Sequence, residues 1–169
     1  MKKYAIKKAG KKGKGLFATK SIKKGEMILK VDLSKQKAYS RKDIDENLTL
    51  QSDHCDYVGR GKYVISFHPY SFMNHSCDPN VIVKHKSMAK SEFYAMRDIE
   101  KGEELTYDYG ANALYAFDNP AWNKFKCSCK SKNCRKWIYS NFFKLPKSLQ
   151  KRYWHGLPLS IRKRFKKLK

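Results

Sequence analysis

The stretch Ser71-Phe-Met-Asn-His-Ser-Cys-Asp-Pro-Asn80 holds apolar residues, an amide, an imidazole and a thiol within ten consecutive positions. Pro79 fixes the backbone φ angle and Asn80 tolerates turn conformations, so the Asp-Pro-Asn end predicts a tight turn. Reactive side chains gathered in a connecting segment are typical of functional sites. The stretch therefore predicts a site, and the rest of the chain indicates what that site holds.

The composition fits one domain with an uneven distribution of charge. Hydrophobic residues make up 41% of the 169 residues, enough for a core, and the formal net charge is +23. Residues 119–169 hold 16 Lys or Arg and no acidic residue, and residues 1–31 are also basic, whereas 32–118 are slightly acidic. Basic ends commonly contact polyanions such as nucleic acid. A solvated lysine-rich surface explains the same pattern without a partner.

Short apolar runs separated by glycine turns predict a mainly β fold. The predicted extended segments are 4–6, 13–18, 27–31, 48–50, 57–58, 63–67, 81–83, 92–96 and 103–110. We expect a hairpin turn at Gly59-Arg-Gly61 and pairing of 81–83 with 92–96. A short helix is expected around Asp43 to Asn47. Residues 111–126 are aromatic but are expected to be irregular.

The C-terminal segment predicts two short helices that begin near Pro146 and Pro158. Ile161, Phe165 and Leu168 are spaced i, i+4, i+7, which places them on one helical face with basic residues elsewhere. Such a face suits contact with a membrane or nucleic acid. It also suits packing on the rest of the domain, which is the interpretation that we favour.

Three of the five cysteines lie close together in the spacing Cys127-x-Cys129-x4-Cys134. The odd total argues against a disulfide framework. Structural zinc takes four nitrogen or sulfur ligands, so this trio lacks one, and Cys55, Cys77 or a histidine is a candidate. Nearby basic residues favour thiolates and offset the negative charge of a tetrathiolate centre. Zinc would order a segment too short to build its own core.

Four motifs occur in one order along most of the chain: Gly13-Lys-Gly-Leu-Phe-Ala18, Asn74-His-Ser-Cys-Asp-Pro-Asn80, Glu103-Glu-Leu-Thr-Tyr-Asp-Tyr-Gly110 and Cys127-x-Cys129-x4-Cys134-Arg135. Together they resemble the SET-domain protein lysine methyltransferases that carry a post-SET zinc motif. The resemblance implies a mainly β SET-domain β-clip fold of several small sheets, here with short C-terminal helices. It also implies a knot-like core in which the chain end passes beneath a loop, an exception among folds.

The resemblance divides the chain into three parts. Residues 1–110 correspond to the SET domain, with a variable insert at about 34–62. Residues 111–140 correspond to the post-SET zinc segment, and 141–169 form a basic C-terminal extension.

The resemblance further implies S-adenosyl-L-methionine as the cofactor. Its methionine end is expected on the backbone of Lys14, Gly15 and Leu16, and its adenosine on Asn74 and His75. Tyr109 is expected to contact the cofactor as well. Trp137 is expected either to pack over the cofactor or to serve as an ordinary anchoring aromatic residue.

The resemblance also supplies a fourth ligand for the zinc ion. The thiol of the Asn-His-Ser-Cys motif, Cys77, is implied to join Cys127, Cys129 and Cys134 around a structural Zn²⁺. Cys55 is then left as a buried apolar residue. Zinc would thereby attach the C-terminal segment to the stretch 71–80.

Methyl transfer from a sulfonium requires a neutral lysine, and at pH 7 deprotonation of a free lysine costs about 4.6 kcal/mol. An apolar channel and an adjacent positive charge lower that pKa, and tyrosine hydroxyls can aim the amine. A strand ending in Tyr107-Asp-Tyr109 predicts two tyrosines on one side. By the resemblance both are catalytic, Tyr109 as the nearly invariant residue and Tyr107 as the one that favours mono- or dimethylation.

One departure concerns the wall of the lysine channel. The resemblance implies a channel-lining tyrosine where this chain has Leu29-Lys-Val-Asp-Leu-Ser34. Tyr63 or Tyr39 is left to take its place in the channel wall. The variable insert normally shapes the groove for the peptide. Its acidic residues suit a basic substrate; they are Asp43, Asp45, Glu46, Asp53 and Asp56.

The sequence thus predicts a lysine methyltransferase acting on a basic, histone-like protein, with nucleic acid or a nucleosome contacted by the basic ends. One alternative is a zinc-stabilised chromatin or nucleic-acid binding module whose catalysis has lapsed; another is a small basic architectural protein. No apolar run has the length of a transmembrane segment, and no apolar signal region begins the chain. We therefore expect the cytoplasm, or the nucleus with chromatin association, and leave delivery into a host cell open.

Overall fold

The computed structural model describes residues 2–47, 54–111, 124–139 and 141–165, and most of these belong to small β-sheets. The strands are β1 (Tyr4–Lys8), β2 (Lys14–Ala18), β3 (Met27–Asp32), β4 (Tyr39–Ser40), β5 (Cys55–Gly59), β6 (Lys62–Ile65), β7 (Asn74–His75), β8 (Val81–Ser87), β9 (Lys90–Ala95), β10 (Glu104–Tyr107), β11 (Lys124–Lys126) and β12 (Trp137–Tyr139). The helices are α1 (Arg41–Glu46), α2 (Lys147–Tyr153) and α3 (Leu159–Arg164). Single turns of 3-10 helix include Pro69–Phe72 and Tyr109–Ala111.

The sheet that positions the site has the strand order β1-β2-β10-β7. Its first two pairings are antiparallel, whereas β7 and β10 run parallel, with Asn74 beside Thr106 and His75 beside Tyr107. Leu16 on β2 is fully buried, as is its partner in register on β10. This pairing brings three motifs that are distant in sequence into one sheet.

Two other sheets confirm the predicted hairpins. Strands β8 and β9 pair antiparallel and continue to β3, and β5 and β6 pair antiparallel beside β4. The turn between β5 and β6 places Gly59, Arg60 and Gly61 at positive φ, a conformation that glycine adopts at little cost. Strand β6 ends at Ile65, two residues earlier than predicted, and β10 ends at Tyr107 instead of continuing to residue 110.

The predicted short helix is confirmed as α1, six residues long and offset by one or two positions. Its N-terminus is fixed by a capping box, in which the Ser40 side chain accepts from the Asp43 backbone and the Asp43 carboxylate accepts from the Ser40 backbone. Ile44 is the buried residue that attaches this helix to the domain. This helix therefore holds the first part of the insert against the domain.

The C-terminal segment builds a second hydrophobic core. Helices α2 and α3 begin directly after Pro146 and Pro158, as predicted. Ile161 is buried in this core, and Phe165 packs against it, as does Ile82 from β8. The interpretation that this apolar face packs on the domain is confirmed for those two residues.

Several predictions concern residues outside the described ranges. These are the extended segment 48–50, the acidic Asp53, residues 112–123 of the segment expected to be irregular, and Leu168. Residues 124–126 of that segment form β11, so the expectation is wrong for them, because pairing with β12 makes them a strand. The division of the chain into three parts and the threading of the chain end stay predictions. Among the described residues, no helix is long and apolar enough to cross a membrane.

Candidate functional site

The glycine-rich loop that opens β2 lies directly against Asn74. The Asn74 side-chain amide donates to the Lys14 carbonyl oxygen at 3.1 Å and to Glu104 Oε1 at 2.7 Å. A Cβ on Gly15 would lie 2.8 Å from Glu104 Oε1 and 3.0 Å from Asn74 Nδ2. Gly15 is thus required for this close approach, and Leu16, whose side chain is buried, offers only its backbone to a ligand.

The turn after Cys77 is tied to β10 by a buried asparagine. Asn80 donates from Nδ2 to the Glu104 carbonyl at 2.9 Å and accepts from the Thr106 backbone N–H at 2.9 Å. These two bonds satisfy polar groups that would otherwise be buried without partners. The predicted Asp-Pro-Asn turn therefore fixes the position of β7 against β10.

The two predicted catalytic tyrosines meet, although a continuous strand does not explain their arrangement. The chain leaves β10 after Tyr107, and Tyr109 begins a turn of 3-10 helix, so strand alternation is wrong as the reason. Their ring centroids are nevertheless 4.9 Å apart. The Tyr109 hydroxyl donates to the Met73 carbonyl at 3.1 Å, and its ring lies 5.3 Å from that of His75. The turn at Asp108, and not strand alternation, therefore brings the two tyrosine rings together.

A chain of aromatic contacts extends from Tyr107 into the domain. The Phe93 ring meets Tyr107 edge-on at 5.9 Å, and Tyr70 lies 5.7 Å from Phe93. The Tyr70 hydroxyl donates to the carboxylate of Asp56 on β5. Burial is the main reason that the pKa of Tyr70 rises far above its usual range, and the adjacent carboxylate raises it further. Sequence reasoning missed Tyr70.

The two substitutes considered for the absent channel tyrosine lie in a different sheet. Tyr39 on β4 is the register partner of Tyr63 on β6. Tyr63 is buried, and its ring lies 5.3 Å from that of Tyr57 on β5. The choice of the channel residue therefore stays open, with Tyr70 added through its contact with Phe93.

Sulfur and nitrogen atoms gather where the opening stretch meets the cysteine-rich segment. Donor atoms of His75, Cys77, Cys127 and Cys129 all lie within 4.8 Å of one another. The Cys77 and Cys127 sulfurs are 3.8 Å apart, and two sulfurs bound to one tetrahedral zinc at about 2.3 Å would be separated by about 3.8 Å. Cys134 packs against this same group. The donor set fits a zinc ion.

The hydrogen bonds of His75 bear on whether His75 or Cys134 would bind zinc together with Cys77, Cys127 and Cys129. Its Nδ1 accepts from the Tyr109 backbone N–H at 3.1 Å, so in the neutral ring Nε2 carries the proton. That nitrogen lies 3.3 Å from Cys77 Sγ and is a donor to the sulfur, not a metal ligand. Burial, with the nearby Arg135, lowers the pKa of His75 to about 4, which keeps the ring neutral at pH 7. Cys134, and not His75, therefore joins Cys77, Cys127 and Cys129 in the ligand set that we favour.

The environment of the thiols differs from one to the next. Burial raises the pKa of Cys77 and Cys127. Burial also opposes ionisation of Cys129, but hydrogen bonds, chiefly from Ser131, lower its pKa to about 6. The Arg135 backbone N–H and Nε lie 3.3 and 3.4 Å from Cys77 Sγ. These donors favour a thiolate at Cys77, as a metal ligand requires.

Arg135 also forms a buried ion pair with the residue between the two tyrosines. Its Nη2 lies 2.6 Å from Asp108 Oδ1, and the Asp108 side chain is fully buried. The same oxygen accepts from the Gly110 backbone at 3.0 Å. Burial raises the pKa of Asp108, and Arg135 opposes that rise. One arginine therefore connects the cysteine segment to the turn that carries Tyr109.

In the described part of the cysteine segment, Phe125 is the aromatic residue whose ring contacts His75 and Tyr109. The Phe125 ring is 6.2 Å from His75 and 5.9 Å from Tyr109. Trp137 is 45% exposed and lies next to Ile138, the residue of β12 that faces the cysteines. Coverage of the cofactor by Trp137 stays a prediction. The position of Phe125 two residues before Cys127 was the signal available in the sequence.

Comparisons with known proteins agree with this geometry. The SET-domain profile matches residues 13–110. The variant-silencing SET domain-containing protein of Plasmodium falciparum (isolate 3D7) is 32% identical over 147 residues, covering 79% of this chain and 6% of that protein. The histone-lysine N-methyltransferase trithorax of Drosophila virilis is 33% identical over 145 residues, covering 75% of this chain and 3% of that protein. The chain thus spans less than a tenth of the length of either relative.

A structural comparison gives the same fold. The crystal structure of KRYPTONITE in complex with mCHG DNA and SAH superposes with a TM-score of 0.58 over 80% of this chain and 29% of that one, at 23% identity. The strand order around β10 brings three of the four sequence motifs together, and the cysteine motif meets them at Cys77. Since the profile covers more than half of the chain, the chain belongs to the SET-domain family.

Proposed function

We propose that the protein transfers a methyl group from S-adenosyl-L-methionine to the side-chain amine of lysine in a basic protein. The observation that carries this proposal is the parallel pairing of β7 with β10, which sets Asn74 and His75 beside Tyr107 and the turn to Tyr109. Amide, imidazole and phenol groups on rigid backbone form the kind of polar set that orients a small molecule. Similarity to proteins named histone-lysine N-methyltransferases supports the same chemistry.

The residues that would hold the cofactor are those gathered around the opening of β2. Asn74 is anchored on the Lys14 carbonyl, so the loop and the motif present one surface. Phe125 and Tyr109 add aromatic faces next to His75. When bound, S-adenosylmethionine supplies an electrophilic methyl group on its sulfonium. The protein groups orient it and exclude water.

The tyrosines would act on the incoming lysine by orientation and by control of its charge. The Tyr107 ring is buried and in contact with Phe93 and Tyr109, which gives the channel apolar walls. Such surroundings lower the pKa of a lysine amine and favour the neutral nucleophile. The Tyr109 hydroxyl, held by the Met73 carbonyl, is placed to align the amine without acting as a strong base.

The number of methyl groups added follows from the space near Tyr107. Its hydroxyl occupies volume that a larger, more methylated amine would need. A phenol at this position also holds a water molecule or the amine itself by a hydrogen bond. We infer that mono- and dimethylation are favoured over trimethylation.

The substrate that we propose is a basic tail, histone or histone-like, with nucleic acid or a nucleosome contacted by the basic ends. With such a substrate the protein would act on chromatin. The acidic insert supports this only in part, because several of its carboxylates have local partners. Asp45 pairs with Arg41, Asp43 caps α1 and Asp56 accepts from Tyr70.

Transfer of radiolabelled methyl groups to purified core histones tests this function. We expect the full-length protein with zinc to label histones, and Tyr109→Phe to lose nearly all turnover while it still binds the cofactor in calorimetry. Mass spectrometry of the product identifies lysine as the acceptor. Absence of labelling by a protein that binds the cofactor and zinc would contradict the proposal and favour a binding module.

A further inference from the structure

The ribbon of β11 and β12 has two faces with different chemistry. Register pairs Phe125 with Ile138, and these residues face the cysteines and Tyr109. Side chains alternate along a strand, so the neighbouring residues of both strands point the other way. That outer face carries Trp137 and Tyr139, which are 45% and 36% exposed. Two large aromatic side chains are therefore presented to solvent side by side.

A lysine ammonium lies over each of the two exposed rings. Register places Lys124 opposite Tyr139 and Lys126 opposite Trp137, and both lysines are exposed. The Lys124 ammonium lies 4.9 Å from the Trp137 ring centroid, and the Lys144 ammonium lies 5.1 Å from the Tyr139 ring centroid. Residues 119–169 contain no acidic residue that could neutralise this charge. Among the described residues, these three lysines take part in no ion pair with a carboxylate.

A cavity of about 270 Å³ adjoins this face. Its walls are formed by both exposed aromatic residues, the charged Arg135 and Lys144, and the apolar Ile138, Leu145 and Pro146. The volume is slightly below that of typical small-molecule sites, so a whole cofactor is a poor match. The cavity is a better match for a single planar ring, which would lie between the aromatic side chains with the cationic side chains beside it.

We propose that the outer face of the β11–β12 ribbon binds single-stranded nucleic acid. Unpaired bases would stack on Trp137 and Tyr139, and phosphates would meet Lys124, Lys126 and Lys144. Stacking on aromatic side chains inside a basic groove is how proteins bind single strands without reading sequence. A duplex buries its bases and would use only the lysines, and an acidic peptide has no need of two rings. This inference refines the proposed contact with nucleic acid, and its test does not require methyl transfer.

Fluorescence anisotropy with a labelled oligothymidylate tests the proposal on the full-length, zinc-loaded protein. A duplex of the same length and a polyglutamate peptide serve as the competing ligands. We expect the single strand to bind more tightly than either. Tyr139→Ala should weaken single-strand binding about tenfold while leaving duplex binding unchanged, and Tyr139→Phe should restore it.

A second comparison separates the contribution of charge to binding from that of base stacking. Lys126→Gln should weaken binding of both single strand and duplex and reduce the salt dependence of single-strand binding by about 0.7 in the log–log slope. Lys35→Gln, an exposed lysine outside the ribbon and the C-terminal segment, is the matched control and should have less effect. Equal binding of single strand and duplex, or an unchanged affinity in Tyr139→Ala, would overturn the proposal. Because no cofactor or histone is present, that failure would leave methyl transfer untouched.

Discussion

Replacement of Asp108 by Ala removes one partner of the ion pair that joins the turn carrying Tyr109 to the cysteine segment. The Asp108 side chain is fully buried and that of Arg135 is only 17% exposed, with 2.6 Å between Oδ1 and Nη2. Both ions have therefore lost most of their hydration. After the substitution the guanidinium would stay in the interior without its carboxylate, and the Gly110 N–H would lose its acceptor.

The expected loss of stability is about 3–5 kcal/mol, because an unpaired buried charge is costly. Domains of this size are stable by only about 5–15 kcal/mol, so the loss would be a large fraction of the total stability. Asp108→Asn should cost less, since its amide oxygen still accepts from Gly110. Arg135→Met combined with Asp108→Ala should cost less than the sum of the two single changes, because no charge is then left unpaired.

Urea denaturation of the zinc-loaded protein, followed by circular dichroism, measures these differences. An exposed pair with similar geometry is the control: Arg97 Nη2 lies 2.7 Å from Glu103 Oε2, with side chains 56% and 31% exposed. Glu103→Gln should cost at most about 1 kcal/mol. A similar small cost for Asp108→Ala would refute the reasoning, since it would mean that Arg135 reaches water or another acceptor when its partner is lost.

Four further substitutions have defined outcomes. Cys77→Ser should lower zinc content, measured by mass spectrometry of the metal, with a parallel loss of activity; full zinc occupancy would contradict the ligand assignment. Tyr107→Phe should raise the fraction of trimethylated product, and an unchanged distribution would count against its role in limiting space. Gly15→Ala should weaken cofactor affinity in calorimetry, because its Cβ would lie 2.8 Å from a carboxylate oxygen on β10. Gly156→Ala should destabilise the fold by about 1–3 kcal/mol, because its Cβ would lie 2.6 Å from the Val83 carbonyl oxygen.

The C-terminal core changes how the role of the basic extension can be tested. Deletion of residues 144–169 would remove Tyr153, Leu157 and Ile161 from a packed cluster that also contacts Ala111, next to the catalytic turn. Loss of nucleic-acid binding after such a deletion would therefore report unfolding as readily as lost charge. Neutralisation of exposed lysines leaves the core intact and isolates the electrostatic contribution.

Most strands and all three helices could be predicted, because apolar runs, glycine turns and prolines act over a few residues. The hairpin at Gly59-Arg-Gly61 and the helices after Pro146 and Pro158 depend only on local backbone preferences. The geometry at Tyr109 could not be predicted in this way. Whether a strand continues or turns at Asp108 depends on a buried arginine 27 residues later in the chain.

The sequence by itself determined the family, the residue types of the site and the need for one more nitrogen or sulfur ligand beside Cys127, Cys129 and Cys134. These follow from motif spacing and from the fixed ligand preferences of zinc. The tertiary structure decided that Phe125, not Trp137, lies against His75, and that Trp137 faces solvent. The physical reason is that strand register and the β11–β12 pairing set which side of a ribbon each residue occupies, and register depends on the partner strand as much as on the residues themselves.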